Sequence, residues 1–243
     1  MTRITPQCLT CRVHNCTIMK SFRPEMTQTF NTYKHAVEYK KGEQIFGEGE
    51  EIHGLHFIQA GIVKLELQGR HHRNFILRLA GQGYALGYRN INGSKRQPYS
   101  AVAVEDCRVC YIDIDHFRAI TGPSKEIMLE LLNNCQAETE NAEQRLLQMA
   151  HLSVREKVAG VLLHLAEIYR YHPERNGIRV HLDRQEMADL AGTTKEQVSK
   201  ILADFTLENV IRFRAKHFKT MDVERLRDIS EGVIEHLAVS VHN

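Results

Sequence analysis

The sequence predicts an α+β chain: an N-terminal antiparallel β-roll, a long helix, and a C-terminal winged helix-turn-helix. Three observations carry that prediction. From about Val37 to Ile114, glycines recur between short alternating runs, as in a sandwich or small roll of many short strands. Between Ser124 and about Ala150 one narrow apolar stripe recurs at spacings of three and four, which is a helical pattern. From Leu182 to Lys200 two short amphipathic patterns meet at Gly192, and an alternating basic stretch follows.

The chain has 243 residues, enough for two domains with separate cores. Hydrophobic content of 42% and charged content of 26% are those of a globular protein. A net charge of +2 is too small to advertise nucleic acid, so any basic surface is local. No apolar run reaches the length of about 18 residues that a membrane span needs. The start, MTRITPQC, lacks an apolar signal core, and a cytoplasmic protein is expected. The expected organisation is a Cys-rich segment (1–21), a β-roll (22–122), a dimerisation helix (123–153) and a DNA-binding module (154–243).

Residues 1–21 read as an irregular lead-in. HFIQAGIVKLEL reads as two strands around a glycine turn, NFILRLAGQGYALGY as strand, turn, strand, and SAVAVEDCRVCYIDI as two more strands. After Gly122-Pro123 comes the long helix. Met128, Leu132, Cys135, Thr139, Ala142, Leu146 and Met149 form its seam, and such a stripe pairs with a copy of itself or packs on its own roll. Thr139 and Ala142 weaken the middle. Val154 to Tyr171 is a further helix with Val158, Leu162, Leu165 and Ile168 inward, and Val223 to Leu237 is another.

In the DNA-binding module, Asp183 and Glu186 have capping-box spacing, and so do Thr193 and Glu196. Met187, Leu190 and Ala191 face inward on the first helix; Val198, Ile201 and Leu202 do so on the second. Gly192 suits a left-handed turn between them. Lys195, Glu196, Ser199 and Lys200 share the polar face. An ordinary helical hairpin has the same pattern. The hairpin VIRFRAKHFKTM tips the balance, because Arg212, Arg214, Lys216 and Lys219 occur there with no acidic residue between Asn209 and Thr220. Such a wing gives phosphate contacts that position a reading helix.

Roll, long helix and winged helix-turn-helix, in that order, resemble the CRP/FNR regulators. KKGEQIFGEGEEIHGLHFIQAGIVKLEL resembles the first strands of that family's cyclic-nucleotide-binding-like jelly roll, and TTKEQVSKIL its recognition helix. The resemblance spans roughly residues 35–221. It implies a homodimer, double-stranded DNA and RNA polymerase as partners, and no enzymatic activity. It also implies DNA contacts from Thr194, Lys195, Glu196, Ser199 and Lys200, with Arg212, Arg214 and Lys216 on the wing. By that match Glu196 accepts from a cytosine amino group, and the half-site includes a GA step, with a TTGA-like sequence favoured. Lys200 stands where relatives carry Arg, so its contact is less directional.

Cyclic-nucleotide members carry a Glu after the second Gly of the segment matching GYALGYRNINGSKRQPYSA, and an Arg-Ser pair near its end. Here Tyr88 follows Gly87, and Tyr99 precedes Ser100. A bound phosphodiester needs a cation, and Lys95 and Arg96 are expected on an exposed loop. On the long helix, the positions expected to meet a base are near Ala142 and Glu143. Cyclic nucleotide is therefore not the expected ligand.

The cysteines point elsewhere. Cys8, Cys11 and Cys16 crowd the lead-in, Cys107 and Cys110 form a second pair, and Cys135 lies in the helix seam. Thiolates ligate iron–sulfur clusters or zinc. FNR-type sensors have a similar N-terminal triad and a fourth Cys in a Val-Cys-x-Ile context, matched here by Val109-Cys110-Tyr111-Ile112. The resemblance thus implies a 4Fe–4S cluster on Cys8, Cys11, Cys16 and Cys110, and a regulator responsive to oxygen, nitric oxide or redox state. The alternatives are structural zinc, a thiol–disulfide switch, a heme or metabolite signal in the roll, or incidental cysteines. On a strand, period two sends Cys107 and Cys110 to opposite faces, so only one can join the lead-in.

Overall fold

The computed structural model describes residues 8, 11, 18–69, 74–90, 94–172, 174 and 177–231. Two compact units divide the chain near residues 141 and 142, with residues 74–76 of the strand region grouped with the second.

The first unit opens with a 3-10 turn, Ile18–Ser21, and a helix α1 (Pro24–Tyr33). Eight strands follow: β1 (His35–Tyr39), β2 (Gln44–Phe46), β3 (Gly54–Ala60), β4 (Val63–Gln68), β5 (Asn74–Ala80), β6 (Ala85–Leu86), β7 (Ser100–Ala103) and β8 (Cys107–Asp113). Then come α2 (Ile114–Thr121) and the long α3 (Lys125–His151). The strands form two antiparallel four-stranded sheets, ordered β1-β8-β3-β6 and β2-β7-β4-β5. The predicted strands are present, but the two strands around each turn (β3 and β4, β5 and β6, β7 and β8) lie in different sheets rather than pairing with each other. One core lies between the sheets, with Phe46, Ile58, Leu65, Leu86, Ala101 and Val109. A second covers the outer face of the β8 sheet, where Leu55, Phe57 and Ile112 meet Ile18, Phe22 and Phe30 from the N-terminal segment, Phe117 of α2 and Ile127 of α3.

Two helices that the sequence reading did not place flank the stretch, about Val37 to Ile114, that it made β-rich. Pro24 starts α1 at its first turn, where a missing N–H costs nothing. Asp113 caps α2 by accepting from the Asp115 N–H at 2.8 Å. Both are short, and their apolar residues are too few to stand out beside the strand pattern.

The second unit contains α4 (Val154–Ile168), β9 (Ile178–Arg179), α5 (Arg184–Ala191), α6 (Lys195–Leu207), β10 (Ile211–Arg214), β11 (His217–Met221) and α7 (Val223–Glu231). Ser153 and Glu156 close a capping box on α4. The strands form a sheet ordered β10-β11-β9. Val158, Leu162, Leu165, Met187, Leu190, Val198, Leu202, Phe205 and Leu226 are buried. No helix among the described residues is long and apolar enough to cross a membrane.

Gly177, just before β9, has φ +75°, and a Cβ there would stand 2.0 Å from the Phe218 carbonyl oxygen. Gly177→Ala therefore forces β9 off β11 and should cost roughly 2 kcal/mol or more. Gly160, within α4, has open space around a would-be Cβ. Gly160→Ala should instead add about 0.5–1 kcal/mol. Thermal unfolding of the two variants should move in opposite directions.

Candidate functional site

The helix pair is built as its sequence suggests, with one change. Asp183 and Glu186 form a complete capping box on α5, and Gly192 ends that helix in a left-handed conformation (φ 63°, ψ 43°). The cap of α6 is Thr194 rather than Thr193: the Thr194 hydroxyl accepts from the Gln197 N–H at 3.3 Å. Thr193 Oγ1 bonds the Gln197 side chain. The helix thus starts one residue later than the sequence spacing indicates. Glu196 consequently occupies the second helical position instead of the third, and is not the capping-box carboxylate. Thr194, Lys195, Glu196, Ser199 and Lys200 are exposed, while Val198 and Leu202 of the same helix are buried.

The wing follows directly. Phe213 on β10 stacks on Phe218 of β11 at 5.3 Å, and Arg184 lies over Phe213 at 4.7 Å. This apolar side fixes the hairpin, and the alternate positions Arg212, Arg214, Lys216 and Lys219 are exposed. The predicted reading helix and basic wing therefore belong to one unit and present their polar residues to solvent.

Glu208, at the C-terminus of α6, ties the unit together. Its carboxylate accepts from Arg155 of α4 at 2.6 Å and lies 3.6 Å from Arg225 of α7. Arg155 also covers the Phe205 ring at 4.6 Å, and Arg225 donates to the Glu208 carbonyl at 3.2 Å.

On α3, the predicted seam is an exposed apolar stripe at most of its length. Met128, Leu132 and Leu146 are 57%, 62% and 67% exposed, and Thr139 and Ala142 are also exposed. Cys135 and Met149 deviate from the expected seam. Cys135 packs on the outer core of the roll, and Met149 lies against Gly192.

The thiols sort as the strand period demands. Cys107 faces the core between the sheets and donates to the carbonyls of Ile62 at 3.3 Å and Glu105 at 3.1 Å. Cys110, three residues on, faces the opposite core together with Cys8. Cys8, Cys11 and Cys110 bear on one another electrostatically, and Lys34 bears on both Cys8 and Cys110. The Cys8 N–H donates to Asn31 Oδ1 of α1 at 3.1 Å, and Gln59 Nε2 lies 3.9 Å from Cys11 Sγ. Burial pushes the Cys8 thiol up to about 11, against the opposing Lys34 ammonium, and burial likewise raises Cys110. Cys16 lies outside the described residues, and among those described no three His, Cys, Asp or Glu side chains already gather as a metal site. Soft sulfur donors from the lead-in and from β8 nonetheless share one place, with a cation beside them, and this donor set suits iron–sulfur or zinc.

Sequence reasoning missed the interior of the roll. Ala142 and Glu143, expected near a base, are exposed. The α3 residue that turns into the roll is Glu138, 6% exposed. Lys95 and Arg96 lie on an exposed loop as expected, and Arg96 donates to the Gly49 carbonyl at 2.8 Å. The cations that meet Glu138 are the half-buried Arg78 and, at the exposed rim, Arg89. No local signal marks Glu138, because its partners are 49 to 60 residues away (138 − 89 and 138 − 78).

Comparison with known proteins agrees with both units. Residues 36–122 match the model of a cyclic nucleotide-binding domain, and residues 156–229 that of a Crp-like helix-turn-helix domain. A CRP-like cAMP-activated global transcriptional regulator of Mycobacterium tuberculosis is 28% identical over 212 residues, covering 86% of this chain and 94% of that protein. The regulatory protein HlyX of Actinobacillus pleuropneumoniae is 22% identical over 227 residues, covering 93% and 94%. Among solved structures, FixK2 of Bradyrhizobium japonicum superposes with a TM-score of 0.72 at 21% identity, over 81% of this chain and 96% of that one.

Proposed function

The chain belongs to the CRP/FNR family of transcription regulators, and from that premise we propose that it binds two-fold-related DNA half-sites as a homodimer and reports oxygen, nitric oxide or redox state through an iron–sulfur cluster. As a member of that family it is a DNA-binding regulator rather than an enzyme. The observation that carries the sensor reading is the sorting of β8: Cys110 shares a core with Cys8, while Cys107 is turned into the other.

Cys8, Cys11, Cys16 and Cys110 would hold the cluster, which when bound supplies electron exchange and lability toward oxygen and nitric oxide. The chain's own residues do the rest. Asn31 anchors the Cys8 backbone to α1, and Cys8 packs in the same core as Ile127 of α3. Lys34 sets a positive charge beside sulfurs that become anionic on ligation. The exposed stripe of Met128, Leu132, Thr139, Ala142 and Leu146 meets its copy across the two-fold axis. In a productive dimer the two α6 helices then enter successive major grooves, about 34 Å apart. RNA polymerase is the partner through which a bound regulator would act.

Anaerobically purified full-length protein tests the sensor. Brown colour with bound iron and sulfide, bleached by air, is expected. A colourless protein holding zinc, or no metal, would replace the sensor with a structural site or a thiol switch.

The DNA contacts separate by chemistry. Glu196→Ala should relax specificity at one base pair per half-site, at about 1–3 kcal/mol each. Arg214→Ala should weaken all sequences evenly and lower the salt slope by about one per half-site. Binding titrations at several salt concentrations, on matched and substituted sites, distinguish the two.

A further inference from the structure

We propose that the interior of the roll is a carboxylate-binding site, formed by Arg78, Tyr84, Tyr88 and Arg89, that the chain fills with its own Glu138. The inference is independent of the metal reading. It assigns a ligand to the roll, a tethered carboxylate, and it explains why no diffusible nucleotide is needed there.

On α3, 27 residues long, only Ile127 and Glu138 are buried. A helix facing an apolar sheet has no reason to bury a carboxylate unless a receiver exists. Here the receiver is specific. Glu138 Oε1 accepts from the Tyr88 hydroxyl at 2.5 Å, from Arg78 Nη2 at 2.7 Å, and from the Tyr84 hydroxyl. Glu138 Oε2 lies 3.3 Å from Arg89 Nε. All four partners come from β5 and the segments flanking β6. Tyr99, 1% exposed, completes the floor.

The charges fit an anion site better than a simple ion pair. Two guanidiniums and two phenols converge on one carboxylate, more donors than a single ion pair supplies. Burial by itself would raise the Glu138 carboxyl; Arg78 and the two phenols outweigh it and hold the group below its ordinary value of 4.5. Burial, and next the Glu138 charge, push the Tyr99 phenol up to about 12. The facing groups are thus a fixed set: two cations, three neutral phenols and the Cys135 thiol, itself raised by burial and then by Glu138. Because the ligand is covalently attached, its effective concentration exceeds what a free small anion reaches in solution. The same attachment pins α3 to the roll one residue from Thr139 in the exposed stripe.

Chemical rescue tests this on the full chain, by thermal unfolding in chloride or acetate at matched ionic strength. Wild type should show no shift with acetate, and none with cyclic AMP or cyclic GMP at millimolar concentration. Glu138→Ala should unfold roughly 5–15 °C lower and recover at least half of that loss in acetate. Adding Arg78→Gln should abolish the recovery. If Glu138→Ala does not fold, Glu138→Gln, which keeps the volume, supplies the readout. A carboxyl depressed in the folded state contributes above its unfolded value and loses that contribution as pH falls through the folded one. The unfolding midpoints of wild type and Glu138→Gln should therefore differ at neutral pH and begin to converge as pH falls below the ordinary carboxylate value of about 4.3. Wild-type stability in both variants, rescue by chloride equal to that by acetate, or a cyclic-nucleotide shift of the wild type would each overturn the proposal.

Discussion

Cys110→Ser should strip the anaerobically prepared protein of its iron and colour, while Cys107→Ser should leave both near the parent's level. The two positions are three residues apart on one strand, and both are buried cysteines. Solvent exposure therefore does not separate them. The strand period does: Cys107 spends its S–H on the Ile62 and Glu105 carbonyls inside the sandwich, whereas Cys110 faces Cys8 and Lys34. Serine at 107 retains a donor for those carbonyls, so folding is preserved. Serine at 110 removes one thiolate from the proposed set of four, and a cluster held by four Cys would not be retained by three. Iron and acid-labile sulfide per chain, measured before air exposure, give the result. Equal loss in both variants, or in neither, would sink the assignment of the fourth ligand.

Leu132→Glu combined with Leu146→Glu should convert the dimer to a monomer. Both leucines are more than three-fifths exposed within the chain, so the substitutions leave the fold of each unit intact and its unfolding within a few degrees of the parent. Across a two-fold axis the pair removes four buried leucines. At about 1.5–3 kcal/mol each, the loss is roughly 6–12 kcal/mol before any repulsion between the new carboxylates, far beyond the 1.4 kcal/mol that changes a dissociation constant tenfold. Sedimentation at micromolar concentration should show a single species near 28.0 kDa. The affinity for a two-half-site duplex should fall to that for one half-site. A variant that still sediments as a dimer would move the interface off this stripe.

Much of this was readable in the sequence, and the reason is locality. The turn at Gly192, the Asp183–Glu186 box and the basic wing are all short-range patterns, and each is where the sequence places it. The opposite orientations of Cys107 and Cys110 likewise follow from a period of two. The Thr193–Thr194 ambiguity is a local failure: both residues can cap, and the spacing to Glu196 favours the wrong one. Cys135 and Met149 are half-buried within the chain, whereas the rest of the seam is exposed, a difference that a seven-residue pattern does not record. The roll interior was unreadable for a different reason. Glu138 resembles the other acidic residues of α3, and its identity as a ligand depends on Arg78, Tyr84, Tyr88 and Arg89, which only strand pairing and helix docking bring near it.

Glu208 has a mechanical consequence. With one carboxylate shared between guanidiniums from the helices before and after it, and with Arg155 seated on Phe205, α6 has no private hinge. Tilting or sliding it strains these pairs and so pulls on α4 and α7. A displacement of the reading edge is therefore felt by the helices that flank it.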